Sequence, residues 1–205
     1  MLPDRPPHLF HDAPHGSSPL TAEQRLRYIR DVMARSDSFS AVPGWGMVWV
    51  GLLGVGAALV GSGVSSEVEW VLLWLLTALV AVASGTAIMV RKAHRHGMPL
   101  DSGAGRRFVI SLLPPLVAGC VLTPALLRVD AAALLPGVWL ILYGAGTITG
   151  GAFSIRPVQL MGLSFMILGT VSLLLPSLSG SLWMGLGFGG LHIIFGILIA
   201  RRYGG

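Results

Sequence analysis

Residues 69–90 read EWVLLWLLTALVAVASGTAIMV, and Arg91 and Lys92 follow at once. No charged side chain lies between Glu69 and Arg91. Wound as a helix, the run is about 33 Å long, which matches the thickness of a hydrocarbon core. Inside that core every backbone N–H and C=O needs a protein partner, and only a helix or a closed barrel supplies one. Barrel strands alternate polar and apolar residues, and this run does not. It predicts a membrane-spanning helix and decides the fold class.

Five more runs of the same kind surround it: Pro43–Ser62, Phe108–Leu127, Ala132–Phe153, Val158–Leu175 and Ser181–Ala200. The chain has 205 residues, 53% of them hydrophobic and only 11% charged. A soluble domain carries about 25% charged residues. The expectation is an all-α polytopic bundle of six transmembrane helices over residues 43–205. A cytoplasmic amphipathic helix and linker at 19–42 precede it, and before that comes a disordered tail at 1–18. The tail holds Pro3, Pro6, Pro7 and Pro14 and lacks the apolar segment of a signal peptide. The polar stretches are too short to fold as a separate catalytic domain.

Orientation follows from the basic residues. Arg5, Arg25, Arg27, Arg30, Arg35, Arg91, Lys92, Arg95, Arg106, Arg107, Arg156, Arg201 and Arg202 fall on one side of a six-span arrangement; only Arg128 falls on the other. The positive-inside rule makes the first side cytoplasmic, with both termini there. Trp74, Trp139 and Trp183 mark the opposite interface as an aromatic belt. The net charge of +5 therefore reports topology, and direct nucleic-acid binding is not expected.

Before the first span, Thr21 and Gln24 have capping-box spacing. Ala22, Leu26, Ile29 and Met33 recur on one helical face, and Glu23–Arg27 and Arg27–Asp31 are charge pairs on another. Such a basic helix either lies in the headgroup layer or packs on the cytoplasmic end of the bundle. Arg25, Arg27 and Arg30, with Arg91, Lys92, Arg95, Arg106 and Arg107 of the second inside loop, form a candidate lipid or partner docking surface.

Small residues four apart, Gly146/Gly150, Gly185/Gly189 and Gly54/Ala58, predict closely packed helices and offer faces for self-association. Pro114–Pro115 interrupts the hydrogen-bond ladder of the third span. His192 is the one ionisable group deep in a span, and it falls in a helical series with Gly185, Gly189 and Gly196, so it is expected to face a neighbouring helix. Tyr143, Thr147, Thr149 and His192 are the candidate intramembrane polar site. One buried histidine does not provide the two ligands of a bis-histidine haem. His8, His11 and His15 with Asp12 have spacings open to a metal, but in a proline-rich tail they specify no site. No metal or cofactor is assigned. Cys120, alone, forms no internal disulfide and reads as a small packing residue.

Six spans, glycine-rich fourth and sixth helices and a histidine on the sixth resemble a rhomboid intramembrane protease superficially. That family's serine would sit in the segment Gly144-Ala-Gly-Thr-Ile-Thr-Gly150, which has none, so nucleophile and base are not both present. A lipid-modifying enzyme would have only His94, His96 and Asp101 at the cytoplasmic interface, and loop solvation explains those. No catalytic constellation is complete, and the chain is read as a non-enzyme.

The stretches Ala34-Arg-Ser-Asp-Ser-Phe-Ser-Ala-Val-Pro-Gly-Trp-Gly46 and Phe188-Gly-Gly-Leu-His-Ile-Ile-Phe-Gly-Ile-Leu-Ile-Ala-Arg-Arg-Tyr-Gly-Gly205 carry a second resemblance. It covers residues 21 to 205, and it is to an uncharacterised group of small bacterial six-helix membrane proteins. The resemblance implies a bacterial inner membrane and a link to winged-helix regulators, and it brings no activity. The functional expectation is an accessory or signalling component that acts through a partner in the lipid bilayer. The alternative is a passive carrier or channel for a small neutral or apolar solute, with a cavity at Tyr143, Thr147, Thr149 and His192 near the Pro114–Pro115 interruption.

Overall fold

The computed structural model describes residues 21, 23, 24, 26, 43–95, 103–152 and 154–203. The chain divides into two units, residues 1–37 and 38–205. In the first, Glu23, Gln24 and Leu26 are helical. The capping box there is reciprocal: Gln24 N–H donates to Thr21 Oγ1 (3.3 Å) and Thr21 N–H donates to Gln24 Oε1 (2.9 Å). Arg25, Arg27, Arg30, the apolar positions 22, 29 and 33, and the tail with its histidines lie outside the described residues.

The second unit holds the helices α1 (Gly44–Gly61), α2 (Glu67–Arg95), α3 (Gly103–Arg128), α4 (Leu135–Gly151, entered through a 3-10 turn at Ala132–Leu134), α5 (Arg156–Leu174) and α6 (Gly180–Tyr203). All six are long and apolar enough to cross a membrane, so this is a multi-pass membrane protein. The expected spans fall on these helices to within a few residues.

Local chemistry sets the helix ends. Ser66 begins α2, its Oγ accepting Glu69 N–H. Asp130 takes a left-handed conformation (φ 53°) after α3, and Ala131 N–H reaches back to Leu126 O (2.9 Å) in a Schellman-type closure. Pro157 opens α5, and Pro176 stands just beyond its end. Helix α3 runs unbroken through Pro114, Pro115 and a third proline, Pro124. The two prolines expected to interrupt it remove hydrogen bonds without ending the helix.

Two antiparallel seams of small residues hold the bundle. On α4, Gly137 and Gly144 stand seven apart and meet Gly169 and Gly162 of α5. A methyl on Gly144 would sit 2.6 Å from the carbonyl oxygen of Gly162, and one on Gly162 would sit 2.7 Å from that of Gly144. For the pair Gly137/Gly169 the corresponding distances are 2.9 and 2.8 Å. In the second seam Gly44 and Gly51 of α1 lie against Ala200, Ile193 and Gly189 of α6, and Gly196 meets Val48. Lipid gives no hydrophobic reward for helix contact, so attraction comes from backbones brought this close.

Helix α6 is thus held between α1 on one side and α4 and α5 on the other. Its middle, Gly185–Leu191, is a π-helix. Helices α2 and α3 lie on the flank: α2 packs on α1 and touches α4 through a Trp70–Trp139 stack (centroids 5.9 Å apart), while α3 packs on α4. The difference is large. Only 11% of the α2 and α3 spans is buried, against 33% for α1 and 39% for α4, α5 and α6.

Candidate functional site

The Gly144–Gly162 contact brings α4 onto α5 and sets Tyr143 beside Phe165. His192 comes directly after the π-segment. The two expected partners meet: Tyr143 Oη and His192 Nε2 are 2.9 Å apart, and His192 is 4% exposed. Thr147 is buried one turn along α4, where its hydroxyl donates to Tyr143 O (2.8 Å). Thr149 does not join them. It is exposed, and its hydroxyl donates to Ala145 O and Gly146 O of its own helix.

The π-segment alters the phase of α6. Gly185, Gly189 and Gly196 meet Ala58, Val55 and Val48 of α1, while His192 meets Tyr143 on α4. A strict 3.6-residue period puts all four on one face. A π-turn takes an extra residue, so His192 does not stand in the phase relative to Gly185 and Gly189 that a uniform helix would give it.

Aromatic rings enclose the pair. Tyr143 lies 4.8 Å from Phe165 and 5.0 Å from Phe188, centroid to centroid; His192 stacks on Phe188 at 6.0 Å and meets Phe165 edge-on at 5.4 Å. A cage for an ammonium ion holds each ring within about 6 Å of the cation, so opposite rings stand farther apart than these. Here the rings fill the space between themselves. Buried Leu140, Met161 and Trp183 complete the cluster. Nδ1 of His192 has no hydrogen-bond partner. Trp74 Nε1, Trp183 Nε1 and Ser172 Oγ are likewise buried and unpaired. Among the described residues no three His, Cys, Asp or Glu side chains gather as metal ligands.

Open space lies elsewhere. A cleft of about 260 Å³ at the tryptophan end is lined by Ser65, Ser66, Glu67, Trp70, Ser179 and Ser181 among others, and neither Tyr143 nor His192 borders it. Its wall is fixed by Trp70 Nε1 donating to Ser181 Oγ (2.8 Å). A matching bond joins Trp139 Nε1 to Thr123 Oγ1 (3.0 Å) and ties α4 to α3. Sequence reasoning passed over both hydroxyls; a serine or threonine level with a belt tryptophan is the signal that marks them.

At the opposite, basic end Arg91, Arg106 and Arg107 are exposed and Lys92 is half-buried. The side chain of Arg95 and residues 96–102, with His96 and Asp101, lie outside the described residues. The glycines expected to offer self-association faces are largely taken up inside the chain: Gly54, Gly185 and Gly189 lie in the α1–α6 seam, and Gly146 rests on Leu112 and Pro115 of α3. No family model, curated protein or solved structure matches the chain.

Proposed function

We propose that this protein is a non-enzymatic accessory or signalling component that works by lateral contact with other protein in the bilayer. The observation carrying this reading is the unequal burial of its spans. Four helices form the packed body, whereas only 11% of the α2 and α3 spans is buried and about half of their residues are exposed. Exposed arginines at the basic ends of both helices extend the surface to the headgroups. The excess of basic residues on one side supports a cytoplasmic placement of both termini, and the resemblance of Ala34–Gly46 and Phe188–Gly205 supports a bacterial inner membrane. The ring packing around Tyr143 and His192 weighs against the solute-carrier alternative, since a solute would have to displace four aromatic rings.

The test is a photoreactive amino acid placed in turn at Leu79 on α2, Val117 on α3 and Ile167 on α5, all exposed. After irradiation of native membranes, discrete protein adducts are expected from positions 79 and 117 and not from 167. Lipid adducts alone at all three positions would overturn the reading.

A further inference from the structure

We infer that the α2–α3 flank is a homotypic interface, with α2 of one copy lying antiparallel on α3 of a second. This rests on the reading that the flank meets protein, and it names the partner.

Helix α3 turns one stripe to α4, through Pro115, Gly119 and Thr123. The opposite stripe holds Ile110, Pro114, Val117, Val121, Pro124 and Arg128, all exposed. A proline has no N–H, so the carbonyls of Ile110 and Cys120, four residues before Pro114 and Pro124, lose their usual helical donors. Acyl chains offer no replacement, and an unpaired backbone group in hydrocarbon costs several kcal/mol. This stripe calls for a surface that carries donors.

Helix α2 carries one. Thr77 and Ser84 donate to their own helix at Leu73 O and Val80 O, but Thr86 is exposed and its hydroxyl has no hydrogen bond among the described residues. Charge gives the second match. Glu67 and Glu69 are exposed at the tryptophan end of α2 and Arg128 at the same end of α3, and none of them has an ion-pair partner among the described residues.

A single register satisfies both. With Glu69 of one copy beside Arg128 of the other, on the same exposed face of α2 as Leu76, Leu79 and Thr86, 17 residues down α2 reach Thr86 at about 26 Å, and 18 residues down α3 reach Ile110 at about 27 Å. The donor then arrives level with the carbonyl that lacks one. The two helices of a single chain do not pack along each other, so the match is made between copies. At the basic end Arg91 and Arg106 of neighbouring copies come level in the headgroup layer, where anionic phosphates offset their repulsion.

The same register places Leu76 of one copy, about 11 Å down α2, level with Cys120 of the other, about 12 Å down α3. Cys120 is the only cysteine and is exposed. Full-length Leu76→Cys chains oxidised in native membranes are expected to give a covalent dimer. Neither the unmodified chain nor Ile167→Cys, on exposed α5, should do so comparably. Adding Arg128→Glu is expected to lower the dimer yield by up to about fivefold, which is what an exposed ion pair can contribute. Adding Glu67→Lys and Glu69→Lys as well should restore it. Recovery on the triple charge exchange shows that Arg128→Glu had not simply unfolded the protein. Dimer from Leu76→Cys no stronger than from Ile167→Cys overturns the inference, as does Arg128→Glu without effect. If photo-adducts at Leu79 and Val117 then join other proteins, the lateral-contact reading survives alone; if they join only lipid, both fall.

Discussion

Tyr143 and His192 give each other the hydrogen bond that neither finds elsewhere in the ring cluster. Removing one partner leaves a buried polar atom unpaired, at about 1–3 kcal/mol, whereas removing both is much less costly. Tyr143→Phe is therefore expected to lower stability by about that amount. The double variant Tyr143→Phe with His192→Phe should recover part of the loss. Thermal unfolding of the four species in detergent closes the cycle, and a neutral Tyr143→Phe would mean that the bond contributes nothing. Glycine positions give a comparison of opposite sign. Gly144→Ala drives a methyl into the carbonyl of Gly162 and against Met166, an overpacking expected to cost about 1–3 kcal/mol. Gly56→Ala meets nothing within 4 Å and is expected to be neutral or to stabilise α1 by up to about 1 kcal/mol, the difference in helix propensity. Urea or SDS titration reads both.

At the scale of the element, α6 departs most from a regular helix. A π-segment of a single turn accommodates about one residue more than an α-helix of the same rise. Gly190 is the residue to remove, because a side chain there would meet little beyond the Gly185 carbonyl, at 3.9 Å. Its deletion is expected to convert Gly185–Leu191 to α-helix while Trp183 and Gly196 keep their packing. Deletion of Ile197, within regular α-helix, should rotate everything after it and abolish folding. Thermal stability of the two deletions separates the outcomes; equal damage from both would contradict this view of the segment. This irregularity was not legible in the sequence. The series Gly185, Gly189, His192, Gly196 reads as one face under a uniform period, and nothing in GLGFGGL marks where the period changes. The spans themselves were legible, because hydrophobic length and flanking charge act locally. The seven-residue spacing of Gly137, Gly144 and Gly151 was present too, yet pairs four apart are the more familiar signal, and those do not make the α4–α5 seam.

For the whole molecule, sequence established six crossings but not which of them form the body. All six runs are similarly apolar, and pairing depends on small residues far apart in the chain meeting at one level, as Gly44 meets Ala200. The candidate site was legible in part: Tyr143 and His192 meet and Thr147 stands behind them, while Thr149 faces outward. On the proposed reading their role is packing and the working surface lies on α2 and α3, whose exposure no single-helix pattern reveals. On that assignment the folded body is incomplete as a solitary chain in lipid. Native mass spectrometry of particles cut directly from the membrane into nanodiscs tests this most directly. Every particle holding this chain is expected to contain at least one further protein chain, a second copy on the homotypic reading. Particles containing one chain and lipid alone would contradict it.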